Sequence, residues 1–254
     1  MKVWKNIFYF VISSLMLFYS CSKKIVIKGF DAESESITGD FGYTNFLKVS
    51  FPPPLKLKWK IKLPSFPGRE FIFYQNSLIV STLDGKIYAF SISDGKKIGQ
   101  LDLDYEILFP GTIDYGVLYL GRSYGKTTLF SYSLRSSNFL WKKDLGSIEI
   151  SPLQYRDKII VVTTSGTVYS ILKNTGEIVW KRKFNVQFHS TPLLKEHRLI
   201  LGNDKGEVIS MNVEHGDVEW RTGVKGSIFS GVSRGRNIYT GTTDGYFYSL
   251  EQDS

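Results

Sequence analysis

The chain has 254 residues, of which 42% are hydrophobic and 15% aromatic, and its formal net charge is +8. Its single cysteine excludes an intramolecular disulfide bond. The sequence has no run of five basic residues and no nucleic-acid-binding motif, so no nucleic-acid partner is predicted. The positive charge predicts a solvated basic surface, and the alternative is attraction to an anionic lipid headgroup or an acidic partner.

Residues 1–20 have the pattern of an export signal. Lys2 and Lys5 give a positively charged start, and residues 7–19 are apolar except for two serines. This run is too short to span a bilayer comfortably and is typical of the hydrophobic part of a signal peptide. We therefore predict that residues 1–20 are not part of the fold.

Cys21 follows this signal directly. A lone cysteine at this place, with the small Ser20 before it, resembles the lipidation site of bacterial lipoproteins. Lipidation would tether the chain to a membrane surface rather than thread it through one. The alternatives are an uncleaved anchor and an ordinary secretory signal followed by a free thiol.

Residues 21–54 are predicted to be the lipidated cysteine and a tether. The segment is polar, lacks sustained periodicity and ends in three consecutive prolines, which is typical of a linker that stands a domain off the membrane. Two short runs, 24–28 and 46–51, are candidate edge strands.

The predicted folded domain, 55–254, opens with a strict alternation of apolar and polar residues. Residues 55–63 read Leu-Lys-Leu-Lys-Trp-Lys-Ile-Lys-Leu, which predicts a half-buried β-strand. Similar strands end the later repeats, whereas this strand has no preceding strands of its own.

Two markers recur about every forty residues from here on. Turn glycines fall at Gly85, Gly125, Gly166, Gly206 and Gly245, and last-strand anchors fall at Trp59, Gly99, Trp141, Trp180 and Trp220. Strand-length apolar runs separated by Gly, Asn and Asp predict four antiparallel strands in each period. Such a period is typical of β-propeller blades.

We therefore predict an all-β propeller of about five four-stranded antiparallel blades. The complete blades are predicted at residues 70–103, 108–145, 150–184 and 190–224. The last blade has three strands, at 227–233, 237–242 and 246–251. Residues 57–63 would supply its fourth strand beside 246–251 and close the ring without an open edge. The alternative is an open arc that completes a larger ring with another copy.

The tryptophans are predicted to be structural. Indoles at Trp59, Trp141, Trp180 and Trp220 are large enough to fill the gap between adjacent blades, where small serines on third strands allow close approach.

The run from Tyr169 to Trp180 is similar to the tryptophan-docking repeat of quinoprotein-type (PQQ-like) β-propellers. Its Thr175-Gly176 and Trp180 match the Thr-Gly-x-x-x-Trp of that repeat. The resemblance covers about residues 55–254 and implies a fold rather than a chemistry, because proteins that bind no quinone share it.

Quinoprotein dehydrogenases use a catalytic aspartate and a calcium ion, and several use adjacent cysteines. This chain lacks a cysteine pair and a Cys-x-x-Cys-His haem motif, so we predict no enzyme, no catalytic residue and no cofactor. His189, His197 and His215 are spaced so that they do not converge on one metal ion, and no metal site is predicted.

Glu149 and His189 form the one candidate ligand site. Both occupy the start of first strands, which line the axis of a propeller, so they would face each other at the mouth of the channel. The simpler interpretation is a hydrogen-bonded structural pair.

The remaining candidate surface is the set of loops after second strands, predicted to share a face with the loops that enter first strands. Their aromatic and basic residues are typical of a protein-binding surface. A lipid-anchored propeller with such loops is similar to the propeller lipoproteins of the outer-membrane β-barrel assembly machinery. That resemblance implies a non-catalytic scaffold of the cell envelope that binds envelope proteins. Ser22 stands where some bacterial lipoproteins have an aspartate that retains them at the inner membrane. Its presence favours a location at the outer membrane, with the protein facing the periplasm. The alternative is a propeller that binds a quinone or another small molecule beside an oxidoreductase.

Overall fold

The computed structural model describes residues 24–25, 54–109, 111–229 and 237–251, and these ranges are all-β. The export signal, Cys21 and most of residues 22–53 lie outside the described residues. No helix within the described ranges is long and apolar enough to cross a membrane.

Four antiparallel sheets of four strands follow one another along the chain, and we call them blades 1 to 4. Blade 1 contains β1 (Pro67–Tyr74), β2 (Ser77–Thr82), β3 (Lys86–Ser91) and β4 (Lys97–Asp102). Blade 2 contains β5 (Thr112–Asp114), β6 (Val117–Gly121), β7 (Leu129–Ser133) and β8 (Asn138–Lys143). Blade 3 contains β9 (Leu153–Tyr155), β10 (Lys158–Val162), β11 (Thr167–Leu172) and β12 (Ile178–Lys183). Blade 4 contains β13 (Leu193–Lys195), β14 (Arg198–Gly202), β15 (Glu207–Asn212) and β16 (Val218–Gly223).

A fifth sheet follows with two described strands, β17 (Ile238–Gly241) and β18 (Phe247–Leu250). A single bridge between Ile228 and Thr242 extends it. The predicted strand at 227–233 lies partly outside the described residues.

The hairpins between second and third strands turn at glycines with positive φ. Gly85, Gly166, Gly206 and Gly245 have φ values of 81°, 89°, 77° and 82°. Glycine enters this left-handed region without the steric cost of a Cβ atom. The spacing of these glycines therefore predicted the hairpin positions, and the structure confirms them.

Adjacent blades pack face to face through shared apolar clusters. Ile79 of blade 1 and Leu118 of blade 2 belong to one cluster, and Tyr119 of blade 2 and Val161 of blade 3 belong to the next. The first strands β1, β5 and β9 contact each other in turn, so they lie inside and the fourth strands lie outside. This radial order of sheets is that of a β-propeller.

The predicted ring closure is not confirmed. Residues 54–63 form no strand, and β18 pairs with β17 within the part of the chain that the structure describes. Leu55 and Leu57 are 78% and 79% exposed, so the alternating apolar residues do not bury a face as a paired strand would. Within the described ranges the structure therefore shows four full blades and a two-stranded sheet, and a fifth full blade stays a prediction.

Candidate functional site

Two kinds of loop meet on one face of the propeller: the turns between second and third strands, and the loops that enter first strands. Backbone N–H groups of the turns donate to carbonyl groups of the entering loops at 2.9–3.0 Å: Leu83 to Phe66, Thr164 to Ser147, Asp204 to Gln187, and Thr243 to Ser227. These bonds confirm that both sets of loops share a face, which we call the entry face.

The opposite face carries the turns between first and second strands and between third and fourth strands. Here N–H groups donate to carbonyl groups at 2.8–3.1 Å: Ile92 to Asn76, Leu134 to Gly116, Lys173 to Asp157, and Val213 to His197. We call this the hairpin face.

Five of the eight exposed aromatic side chains in the described residues lie on the entry face, and the other three are Phe71, Tyr115 and Phe247. The five on the entry face are Phe66 (79% exposed), Tyr105 (47%), Tyr124 (62%), Phe229 (51%) and Tyr246 (53%). Exposed aromatic side chains mark protein-binding surfaces, because they bring a large apolar area with few rotatable bonds to a contact. The entry face is therefore the candidate functional site.

Arg122 organises the blade 2 part of this face. Its guanidinium lies 4.9 Å from the ring centre of Tyr105, and its Nε donates to the carbonyl of Thr127 at 2.6 Å. Its Nη1 donates to the carbonyl of Leu103. Burial lowers the pKa of the Arg122 guanidinium. The side chain thus holds the longer turn of blade 2 under an aromatic ring, while Tyr124 in the same turn stays exposed.

The two predicted channel-mouth residues have separate partners. The ring of His189 stacks on Phe229 at 4.9 Å between centroids, and its Nε2 lies 3.1 Å from Gln187 Oε1. Glu149 Oε1 accepts a hydrogen bond from Ser147 Oγ at 3.4 Å. Within the described residues, no hydrogen bond or ion pair joins Glu149 to His189. A ligand between them stays a prediction.

The other histidines lie on the hairpin face. His197 is in the turn between β13 and β14, 3.9 Å from Glu219, and His215 is in the turn between β15 and β16. No group of three or more His, Cys, Asp or Glu side chains in the described ranges is arranged to hold a metal ion.

The sequence did not predict a role for Glu70, a carboxylate near the propeller axis. Glu70 on β1 accepts a hydrogen bond from Ser151 Oγ, at the entrance to blade 3, at 3.4 Å. Burial raises the pKa of the Glu70 carboxyl, and the Ser151 hydrogen bond partly opposes this. The signal that could have found it is an acid set beside the apolar run from Phe71 to Phe73.

We expect Glu70→Gln to stabilise the protein at neutral pH and to have little effect near pH 4. The folded-state pKa of Glu70 is raised above its ordinary 4.5, so the wild type loses stability as pH rises through the folded pKa, and glutamine does not. Thermal unfolding at pH 4 and pH 7.5 measures this. Glu177→Gln, on an exposed turn, is the control. Equal melting temperatures of wild type and variant at both pH values would contradict the expectation.

Three tryptophans dock on a sheet in the same way. Each indole Nε1 donates to a backbone carbonyl: Trp59 to Ile92 at 2.9 Å, Trp141 to Lys173 at 2.9 Å, and Trp180 to Val213 at 3.1 Å. Each ring also covers the glycine three residues after that carbonyl, namely Gly95, Gly176 and Gly216, so closely that a Cβ atom there would lie 2.7–2.9 Å from the ring. Trp220 packs against the cluster shared by blade 4 and the fifth sheet.

Comparison with known proteins identifies related sequences and folds. The sequence model of a protein family described as outer membrane protein assembly factor BamB matches residues 125–252, half of the chain. The chain is 24% identical over 196 residues to outer membrane protein assembly factor BamB of Legionella pneumophila (strain Paris), covering 70% of this chain and 49% of that protein. It is 24% identical over 153 residues to a quinoprotein ethanol dehydrogenase of Pseudomonas aeruginosa, covering 56% of this chain and 23% of that protein.

The fold has a matching solved structure. The crystal structure of BamB from Moraxella catarrhalis aligns with a TM-score of 0.59 at 16% identity, covering 68% of this chain and 57% of that chain. The chain spans about half the length, or less, of the curated relatives named above. The structural likeness therefore extends to the fold, a PQQ-like propeller.

Proposed function

The chain belongs to the family described as outer membrane protein assembly factor BamB, and from this premise we propose that it is a non-catalytic scaffold of the cell envelope. Its entry face binds envelope proteins, and its role is in outer-membrane protein assembly. The observation that carries the proposal is the concentration of five exposed aromatic side chains on one face of a rigid propeller.

The entry face has the chemistry of a contact surface. Its aromatic rings stand beside cationic groups, as where Lys225 Nζ lies 5.7 Å from the ring centre of Tyr246. The stack of His189 on Phe229 extends the apolar area toward the axis. Aromatic residues with neighbouring Arg or Lys are enriched among the residues that contribute most to binding between proteins.

We also propose that the protein is an outer-membrane lipoprotein facing the periplasm. In this proposal residues 1–20 are removed, Cys21 carries the lipid, and the propeller is held at the membrane surface. The support is the order of a short apolar run, a small residue and the only cysteine of the chain.

We further infer that the ring has five blades and closes through Trp59. Trp59 meets Ile92 and Gly95 of blade 1 with the same geometry that Trp180 shows against blade 4. The indole of a fourth strand docks on the next blade, so Trp59 occupies the place of the tryptophan of the blade that precedes blade 1. An arc completed by a second copy is the competing arrangement, and the mass of the protein in solution distinguishes the two.

Affinity capture tests the scaffold function. We expect the wild type, taken from detergent-solubilised envelopes, to recover outer-membrane assembly components. Joint replacement Tyr124→Ala and Phe229→Ala is expected to lower this recovery by at least about tenfold, because truncating an aromatic hot spot costs about 2 kcal/mol or more. Tyr115→Ala is the matched control, since Tyr115 is 76% exposed but lies on the hairpin face.

Two outcomes would contradict the proposal. One is recovery of assembly components by the double variant at the level of the Tyr115→Ala control. The other is their repeated absence from the wild-type capture.

The match to a quinoprotein ethanol dehydrogenase favours a second candidate function, binding of a quinone or another small molecule. Glu149 and His189 would provide the polar groups at the channel mouth. Quinone and calcium added to the purified protein would then shift its melting temperature saturably, and Glu149→Gln would abolish the shift. Under the scaffold function no shift is expected.

A further inference from the structure

The interface between blades 1 and 2 lacks both residues of the tryptophan-docking pattern, the tryptophan of the fourth strand and the glycine that its ring covers. Gly99 pairs with Ala89 as Trp141 pairs with Ser131 in the next blade, so a glycine stands where the other blades carry the indole. Ser137 stands where the other hairpins have a docking glycine, and its φ of 56° is close to the 70–75° of those glycines.

Ser137 keeps a backbone conformation that favours glycine. A non-glycine residue in the left-handed region is strained, and a contact of its side chain can offset that cost. The Ser137 hydroxyl donates to the carbonyl of Ile25 at 2.9 Å, and this bond is buried. The residue that replaces the docking glycine therefore binds a segment far away in the sequence.

The space that an indole would take is filled by this N-terminal segment. A Cβ atom on Gly99 would lie 2.7 Å from Ile25 Cα and 2.7 Å from the Lys24 carbonyl oxygen. Ile25 is fully buried, and it belongs to the cluster that contains Ala89, Tyr132 and Leu134. The main chain at 24–25 thus crosses the face of β4, and the isoleucine side chain packs between the two blades.

We propose that the gap between blades 1 and 2 is a docking site for the chain's own N-terminal segment, and that this docking sets how the propeller sits on the membrane. Ile25 takes the place of the missing tryptophan. The orientation rests on the proposed lipidation of Cys21. Ile25 follows Cys21 closely in the sequence, so the lipid would leave the propeller within about 14 Å of Ile25, the reach of an extended chain of this length.

The docked segment lies at the outer rim and toward the hairpin face. Gly99 is on a fourth strand, which is outermost in its sheet, and Ser137 is in a turn of the hairpin face. A lipid so close to them would hold the rim of blades 1 and 2 against the membrane. The entry face would then point away from the lipid and stay open to protein partners.

The charge around the gap fits an anionic lipid surface. Lys24 is exposed next to Ile25, Lys97 is exposed on β4, and Arg135 is exposed two residues before Ser137. Basic residues next to a lipid anchor strengthen its attachment to anionic headgroups.

Thermal unfolding of the full-length mature protein tests the docking. We expect Ile25→Ala to lower the melting temperature by at least about 5 °C, because a large buried side chain is lost. The variant Gly99→Trp with Ser137→Gly restores the docking pattern of the other blades and displaces the segment, so Ile25→Ala in that background is expected to change nothing. An unchanged melting temperature for Ile25→Ala alone, or an equal drop in both backgrounds, would overturn the docking.

A milder pair covers the case in which the indole variant does not fold. Ser137→Ala removes only the hydroxyl that holds the Ile25 carbonyl. It is expected to lower the melting temperature of the wild type by a few degrees and to have a smaller effect in the Ile25→Ala variant. Additive effects would show that Ser137 and Ile25 act independently and would overturn the docking.

Fluorescence quenching tests the orientation. The fluorescent label is attached to one introduced cysteine in each of three variants, Ser136→Cys, His215→Cys and Ser165→Cys. Lipidation would block the Cys21 thiol, so the introduced cysteine alone would be labelled. The first two are equivalent rim positions of the hairpin face in blades 2 and 4, and the third is on the entry face. In vesicles of phosphatidylethanolamine and phosphatidylglycerol with a headgroup quencher, we expect quenching to be strongest at position 136 and weakest at 165.

The two proposals fail separately. Equal quenching at the three positions, or the strongest quenching at 165, would overturn the orientation although the lipid is present. A mass spectrum of the mature protein without an acyl group on Cys21 would overturn the lipid anchor and with it the orientation. The effect of Ile25→Ala on the melting temperature in the two backgrounds would still decide the docking.

Discussion

Trp180→Ala is expected to lower the free energy of unfolding by about 3–5 kcal/mol, the usual cost of truncating a buried indole. Trp180 is 9% exposed and packs in the cluster that joins blade 3 to blade 4. It also donates to the carbonyl of Val213 at 3.1 Å and covers Gly216. Truncation would therefore open a cavity between two sheets and leave a carbonyl without its donor. Denaturant unfolding measures the loss.

Trp180→Phe separates packing from hydrogen bonding. Phenylalanine keeps most of the apolar contact with Gly216 but cannot donate to Val213, so an intermediate loss is expected. Ile178→Ala is the matched control, because Ile178 lies on the same strand β12 and is 44% exposed. If Trp180→Ala unfolded at the same denaturant concentration as Ile178→Ala, the indole would not be what holds the two blades together.

The sequence determined the repeat because its markers have local physical causes. A hairpin that needs positive φ selects glycine, as at Gly166 and Gly206, and a gap between sheets that needs a large planar ring selects tryptophan, as at Trp180. Both requirements recur once in each blade, so their spacing is visible without coordinates. The four full blades and their order could be predicted for this reason.

Contacts between residues distant in sequence could not be predicted in the same way. The alternation at 55–63 matched a strand, but Leu55 and Leu57 are exposed, and only Trp59 engages blade 1. An alternation of apolar and polar residues indicates which side chains could share a face of a strand. It does not indicate whether a partner strand lies beside them. Glu70 is near Ser151 only because β1 and the entrance to blade 3 meet at the axis.

Gly99 illustrates the same limit at the proposed docking site. Its place in the register identified it as a degenerate anchor, but nothing local pointed to Ile25 as the residue that replaces the indole. A repeat that lacks its usual tryptophan, as at Gly99, therefore indicates a place where a distant segment of the chain can pack.

Gly166→Ala is expected to destabilise the protein for two separate reasons. Gly166 has φ of 89°, and alanine in the left-handed region costs about 1–2 kcal/mol. A Cβ atom there would also lie 2.1 Å from the carbonyl oxygen of Val186 and 2.6 Å from that of Phe184, so the backbone would have to move, at about 1–3 kcal/mol more. Denaturant unfolding gives the sum.

Two other glycines separate these contributions. Gly146 has φ of 87°, but no atom lies within 4 Å of the position that a Cβ atom would take, so Gly146→Ala is expected to cost only the backbone strain. Gly223 on β16 has neither positive φ nor a near neighbour, so Gly223→Ala is expected to be neutral or to stabilise by up to about 1 kcal/mol through the unfolded chain. The order Gly166, Gly146, Gly223 follows from the blade geometry. Equal losses at Gly166 and Gly146 would mean that the loop from Phe184 to Val186 yields freely, and the close contact between that loop and the hairpin would then contribute nothing to joining blades 3 and 4.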